Sequence, residues 1–269
     1  MTCKICNNKT TKIFSKMVLK KYPADYLKCS HCGFVQTSEP VWIEEAYNSA
    51  ITSLDIGLLD RNIQLRDYLS AIIDACFKDA QIMLDYAGGY GVMVRLMRDK
   101  GYNFYRQDPY CQNLFAEHFD LKNISTKKFD LLTAFEVFEH FVDPLKEIEK
   151  MFTFSENIVF STQLTPPTNT EIEKWWYISE ETGQHVAFYS KPAMELIAQK
   201  FNKHYYSNGS FLHLFTSSKL SDEQIDYAFY NVRYRTYFSG LFKKKLNFKI
   251  ERKSLIDKDY NAIKEIIKA

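Results

Sequence analysis

No stretch of the sequence approaches the roughly 18 uninterrupted apolar residues that a bilayer-spanning helix needs. The opening residues, Met1-Thr2-Cys3-Lys4-Ile5-Cys6, lack the apolar centre of a secretory signal. Both absences lead to the expectation of a cytoplasmic chain in a reducing compartment, where its six cysteines serve as thiols or metal ligands rather than disulfides. An excess of one charge sign is missing as well. Lys and Arg number 35 against 33 Asp and Glu, a formal +2, so global charge does not announce a nucleic-acid binder. Internal repeats and low-complexity segments are absent. What remains is the composition of a globular chain, 46% hydrophobic and 25% charged, which excludes wholesale disorder and a fibrous protein. Its 269 residues fit one large domain plus a small one. The 21 Phe and 18 Tyr suffice to fill a core and still line a pocket.

The pattern along the chain predicts four segments. Residues 1–40 are rich in cysteine and lysine, have little apolar periodicity and read as a small metal-binding module. Residues 41–80 read as a helical connector, with Leu65, Leu69, Ile72, Ile73 and Cys76 at three- and four-residue spacing on one face. Residues 81–218 alternate strand-like runs (81–86, 103–107, 129–135, 157–161, 211–217) with helix-like ones. Asp143-Pro144 supplies a capping side chain and a first-turn proline for the helix that follows it. Such alternation predicts an α/β domain with a mostly parallel sheet covered on both faces. Residues 219–269 read as a basic helical extension: between Arg233 and Lys253, eight basic residues stand against Glu251 alone. A solvated face explains that charge, as does contact with an anionic substrate, a partner or a membrane surface.

Two CxxC pairs, Cys3/Cys6 and Cys29/Cys32, are separated by 22 residues. Four thiolates at this spacing suit a structural zinc ion, because each CxxC turn presents two sulfurs and a hairpin between them brings the pairs together. About 40 residues hold little core, so the metal would supply folding free energy directly. With four protein ligands no position stays open for catalysis. His31 lies between two ligands as a bystander, and Cys76 and Cys111 read as packing residues.

The segment Leu84-Asp85-Tyr86-Ala87-Gly88-Gly89-Tyr90-Gly91 ends a strand and opens a helix. Small residues there let the backbone approach a ligand, and the helix N-terminus offers free N–H groups. Twenty-three residues after Asp85 comes Asp108, at the end of the next strand. A carboxylate in that place accepts both hydroxyl hydrogens of a ribose. The phosphate-binding GxGxxG spacing of dinucleotide sites is absent. The string resembles motif I of class I S-adenosylmethionine-dependent methyltransferases, with Asp108 at the ribose position, and Phe129 to His140 followed by Asp143-Pro144 resembles their fourth-strand motif. The CxxC pairs and the block Gly183 to Ser190 are further similar to bacterial methyltransferases with an N-terminal zinc-binding domain, including C-methyltransferases of deoxysugar biosynthesis. The resemblance covers about residues 1–218. It implies a Rossmann-like fold with a doubly wound, mostly parallel seven-stranded sheet, S-adenosylmethionine as cofactor and a structural Zn2+. Asp85, Ala87, Gly88, Gly89, Gly91, Asp108 and Phe135 would bind the cofactor. Two departures stand out: Ala87 occupies the first glycine position, and where the sugar C-methyltransferases continue into a further C-terminal domain, the sequence after residue 218 reads as the basic helical extension.

Methyl transfer to a hydroxyl or an acidic C–H needs a group that takes the acceptor's proton. His185 is the expected general base, with Tyr189 four residues on as an orienting or proton-transferring partner. Tyr90 and Phe135 are candidates for the sulfonium pocket, where aromatic faces steady positive charge. Glu136, Glu139 and His140 either brace the loop after their strand or touch substrate. Trp175, Trp176 and Tyr177 suit a wall beside a sugar face, and ordinary packing as well. The leading expectation is methylation of a small, sugar-like acceptor. An RNA methyltransferase and a non-catalytic binding protein are the alternatives; near-neutral charge and the lack of a basic, aromatic-interleaved face at the zinc knuckles speak against nucleic acid.

Overall fold

The computed structural model describes residues 1–48, 51–237 and 242–268. The chain forms two compact units: Met1–Leu54 with Ala134–Thr153 and Phe160–Ser217, and Asp55–Thr133 with Phe154–Val159 and Ser218–Ala269. In chain order, a hairpin of β1 (Thr10–Val18) and β2 (Tyr22–Cys29) precedes β3 (Val35–Thr37) and the short α1 (Ile43–Ala46). Next come α2 (Leu58–Cys76), β4 (Met83–Tyr86), α3 (Val92–Asp99), β5 (Phe104–Gln107), β6 (Leu131–Phe135), α4 (Pro144–Phe152) and β7 (Ile158–Ser161). Then follow α5 (Asn169–Glu173), β8 (Ala187–Phe188), α6 (Lys191–Lys200), β9 (His204–Ser207) and β10 (Leu212–Thr216). The last elements are α7 (Asp222–Phe229), a hairpin of β11 (Tyr234–Tyr237) and β12 (Phe242–Lys245), and α8 (Ile256–Lys268). Among the described residues no helix is long and apolar enough to cross a membrane.

The main sheet has six strands in the order β5-β4-β6-β7-β10-β9. Strand β4 pairs in parallel with β5 and β6, while β9 runs antiparallel to β10. This corrects the expected count of seven. Beyond β5 the edge carries one parallel bridge, Arg106 to Asp120. There the chain turns into a single 3-10 turn at 121–123, with the Asp120 N–H donating to Asn123 Oδ1 at 3.1 Å.

In the first unit, β1, β2, β3 and β8 make an antiparallel sheet. Phe14, Val18, Tyr26 and Val35 from the first forty residues share one core with Trp42, Tyr177, Val186 and Phe188. Phe14 and Tyr26 stack with ring centroids 4.5 Å apart, and the Trp42 indole N–H donates to Gly183 O at 2.8 Å. The cysteine-bearing segment therefore does not close on itself; its third strand is completed by residues 187–188. Along β1 a register shift between Lys12 and Phe14 breaks the alternation, Lys16 falls in phase with buried Phe14 and Val18, and Met17 is exposed, so the segment shows little periodicity in sequence.

In the second unit, Leu65, Leu69, Ile72 and Ile73 of α2 are buried, as their spacing predicts, while Cys76 is half-buried. The 219–269 segment is not helical throughout: the β11–β12 hairpin interrupts it, and residues 238–241 of the expected helix lie outside the described residues. Several of its cations are paired with carboxylates, Arg235 with Asp222 and Asp226, Lys244 with Glu223, and Arg252 with Asp74. Helix α8 is held through Asp259. Its carboxylate accepts from Arg98 Nη2 at 2.7 Å and Arg98 Nε at 2.8 Å, both side chains being 4% exposed. Arg98 Nη1 also donates to Phe104 O at 2.9 Å and Asn103 Oδ1 at 2.7 Å. Removing one partner of a buried ion pair leaves an uncompensated charge. Asp259→Ala is expected to lower stability by about 3 kcal/mol, read as an earlier midpoint in denaturant unfolding; a midpoint unchanged from the parent would contradict the role given to this pair.

Candidate functional site

The glycine-rich turn sits between β4 and α3 and is fixed at both ends by backbone bonds. Ala87 N–H donates to Gln107 O at 2.7 Å and Gly91 N–H to Gly88 O at 3.0 Å. Gly89 and Gly91 have φ of +53° and +86°, the left-handed region where glycine carries no steric penalty. Gly88 is small for a different reason. A Cβ on it would meet Asp85 Oδ2 at 2.5 Å and Arg106 Cγ at 2.9 Å. Ala87, the departure from the family pattern, also lies in the left-handed region at φ +54°, which costs alanine about 1–2 kcal/mol relative to glycine.

Gly89 is gripped by both of its peptide groups. Its N–H donates to Asp108 Oδ2 at 2.9 Å, and its carbonyl accepts from Arg106 Nη1. Asp108 follows β5 directly, and its other oxygen accepts from the N–H groups of Tyr110 and Cys111 at 2.8 and 2.9 Å. The carboxylate expected to meet a ribose thus stands against the glycine turn. Arg106 is buried; it also donates to Cys111 O at 3.0 Å and, through Nε, to Asp120 at 2.7 Å. Sequence reasoning passed over this arginine. The available signal was its register in β5, where it shares the inward face with Phe104.

Asp85, on β4, is buried behind the turn and accepts from Thr133 Oγ1 at 2.6 Å. Burial pushes its carboxyl up to about 7, and the charge of Asp108 adds in the same direction while the Thr133 hydroxyl and Arg106 oppose. Tyr90 is partly exposed, and its carbonyl accepts from Leu114 and Phe115 N–H. These residues, with Ala87 and the three glycines, form one group in the second unit. They fit an adenosyl ligand in kind: a turn stripped of side chains, with a carboxylate fixed beside it.

In the first unit, Phe135 ends β6 partly exposed. Glu136 follows at φ +55°, its N–H donating to Ser161 Oγ at 2.8 Å while the serine hydroxyl donates back to Glu136 Oε1 at 2.6 Å. Glu139 and His140 lie on the 3-10 turn at 138–140, and Val186 N–H donates to Glu139 O at 2.8 Å. This contact brings the 183–190 block to the end of the β6 segment. His185 Nδ1 lies 2.6 Å from Tyr177 O. A carbonyl only accepts, so Nδ1 carries the proton and Nε2 keeps its lone pair. Ring centroids of His140 and His185 are 5.0 Å apart at 87°. Tyr189 is fully buried and its hydroxyl donates to Phe138 O at 2.9 Å, so its one proton is committed to the backbone beside Glu139. Of the aromatic triplet, Tyr177 is buried against His185, Trp175 packs on the core, and Trp176 is exposed.

The four knuckle cysteines converge. Cys3 Sγ lies 3.6 Å from Cys32 Sγ, and Cys6 Sγ 3.5 Å from Cys29 and 3.6 Å from Cys32. Sulfurs on a tetrahedral zinc, at about 2.3 Å from the metal, stand about 3.8 Å apart, so the set is compatible with that ion. The shared hydrogen bond lowers the Cys3 thiol from its ordinary range and raises that of Cys32, while burial raises Cys29. His31, Cys76 and Cys111 are not part of the cluster.

A model of a methyltransferase domain matches residues 60–206. No curated protein matches the chain. Among solved structures it is similar to the plantazolicin methyltransferase BpumL in complex with a monoazolic desmethylPZN analog and SAH, at 12% identity over 65% of this chain and 91% of that one, with a TM-score of 0.44. Magnesium protoporphyrin IX methyltransferase from Synechocystis PCC 6803 with bound SAH shares 11% identity over 64% and 90% of the two chains, at a TM-score of 0.43. The N-terminal domain of EvdMO1 in the presence of SAH and D-fucose shares 9% over 60% and 82%, at 0.38.

For an acid whose folded value is raised, the folded state holds a proton that the unfolded chain has already released, so stability declines with pH between the two values. For Asp85 that window runs from 3.8 to about 7. Asp85→Asn is expected to flatten the decline across this window and to leave the protein more stable than the parent at pH 8. Denaturant midpoints measured at several pH values check it; parallel profiles for the two proteins would refute the assignment.

Proposed function

The chain belongs to the methyltransferase-domain family, and on that premise we propose that it transfers a methyl group from S-adenosylmethionine to a small-molecule acceptor, an oxygen or carbon atom of a sugar or nucleotide sugar. The observation that carries this reading is the double grip on Gly89, which joins a side-chain-free turn to the Asp108 carboxylate. Asp108 would accept from the ribose hydroxyls, and Ala87, Gly88, Gly89 and Gly91 would let the backbone approach the ligand. Tyr90, in the turn itself, would line the sulfonium side of that ligand. Asp85 acts behind the turn, its carboxyl raised by burial to about 7.

When bound, S-adenosylmethionine supplies a methyl carbon activated by a positive sulfur; the bond from carbon to the acceptor forms as the carbon–sulfur bond breaks, and the sulfonium becomes a neutral thioether. The chain's own work is to hold the acceptor in line with that carbon and to receive its proton. His185 receives it at Nε2, since Nδ1–H is fixed on Tyr177 O. Tyr189 positions rather than reacts: by holding Phe138 O it fixes the turn that presents Glu139 and His140. Cys3, Cys6, Cys29 and Cys32 hold a structural zinc ion that sets the start of β1 and the end of β2. The site on this reading is cytoplasmic and takes a sugar-like ligand rather than RNA; the internal pairing of Arg235, Lys244 and Arg252 supports that choice.

His185→Ala is expected to lower turnover at least about 100-fold while SAH affinity by calorimetry stays within a few-fold of the parent. Asp108→Ala should do the reverse and weaken SAH binding first. Equal SAH affinity in the Asp108 variant would remove the ribose assignment, and full turnover in the His185 variant would remove the base. Elemental analysis of purified protein is expected to find about one zinc per chain, and Cys29→Ser to lose it; a metal-free, folded parent would sink the zinc assignment.

A further inference from the structure

Glu139 is the anomaly of the first unit. It is 0% exposed, and neither carboxylate oxygen has a hydrogen-bond partner among the described residues. Buried polar atoms are almost always satisfied, and an orphaned carboxylate points to an ion or water that belongs with it. Its neighbours name the ion. One ligating atom each from Glu139, His140 and His185 lies within 4.8 Å of the others, so the three can reach a common centre. His185 has the arrangement of a metal-binding imidazole: Nδ1–H donates to a backbone carbonyl, which fixes the ring and leaves Nε2 as a ligand.

We propose that Glu139, His140 and His185 hold a divalent transition-metal ion, separate from the four-cysteine site. Two imidazoles and one carboxylate suit manganese, iron, cobalt or zinc in the divalent state, and disfavour calcium and magnesium, which take oxygen sets. Three protein ligands leave coordination positions for water or for an oxygen of the acceptor. The inference rests on reading His185 as the residue that activates the acceptor, and it changes the means. With the ion bound, His185 Nε2 would be a ligand, and the cation would lower the pKa of a coordinated acceptor hydroxyl so that its proton leaves to solvent.

Manganese(II) is the probe, because a thiolate set prefers zinc and free Mn2+ has a strong electron paramagnetic resonance signal that vanishes on binding. Full-length, zinc-loaded protein is titrated with Mn2+. The parent is expected to bind one equivalent, and Glu139→Gln and His185→Gln to weaken that binding at least tenfold while keeping one zinc per chain, which reports that the first unit is folded. Binding of Mn2+ by the parent that is equally tight in both variants, or no binding by the parent up to millimolar ion, overturns the proposal. A parent that binds no Mn2+ but loses turnover in His185→Ala leaves the histidine as a metal-free base, so the metal fails and the catalytic reading stands. Retained SAH binding with no turnover in either metal state would instead tell against the catalytic reading.

Discussion

The arrangement of the glycine-rich turn depends on a single buried guanidinium. Arg106 crosses from β5 to hold Gly89 O, Cys111 O and the Asp120 carboxylate at once, while Asp108, two residues later, takes the Gly89 N–H. A glycine-rich turn is by nature the least restrained part of a chain, since each glycine loses more freedom on ordering than any other residue. Here both polar groups of the middle glycine are fixed by charged side chains from the adjacent strand. The same guanidinium sits against Asp120 at the point where the sheet's edge stops, so one residue both orders the turn and marks the boundary of the sheet.

Burial of charge is handled in three ways in this molecule. Arg98 and Asp259 are paired directly and have further hydrogen bonds. Asp85 is buried with a hydroxyl donor and its carboxyl is raised to about 7, so near neutral pH it shares its proton with solvent instead of standing as a full charge. Both carboxylate oxygens of Glu139 are unsatisfied among the described residues. The first two are complete physical solutions; the third is one that the proposed metal ion would complete.

The cysteine knuckles and the first sheet divide the work of holding the N-terminal segment. Sulfur convergence orders the chain ends of β1 and β2, and aromatic stacking of Phe14 on Tyr26 fills the middle of the hairpin. Neither completes the edge of β3, whose partner comes from 187–188. A segment of about 40 residues has too little apolar surface for its own core, and here it joins one built with Trp42, Tyr177 and Phe188.

What could be read from the sequence was local. The CxxC pairs, the glycine turn with Asp108 at its spacing, the Asp143-Pro144 helix start and the apolar stripe of α2 each concern residues close in sequence or a repeat of fixed period. Their geometry follows from backbone conformation and ligand chemistry alone. The tail's hairpin, the sixth-strand edge and the roles of Arg106 and Tyr189 were not legible, since arginines and tyrosines look alike until packing chooses their partners. Arg98 and Asp259 are 161 residues apart, Tyr189 and Phe138 are 51 apart, and Asp85 and Thr133 are 48 apart. A buried polar group bonds whichever partner the fold brings within about 3 Å, and that choice is made only when distant segments pack and water is excluded. The sequence by itself determined which chemistries were present; tertiary structure decided which side chains were spent on holding the backbone and which were left with a lone pair or a charge to use.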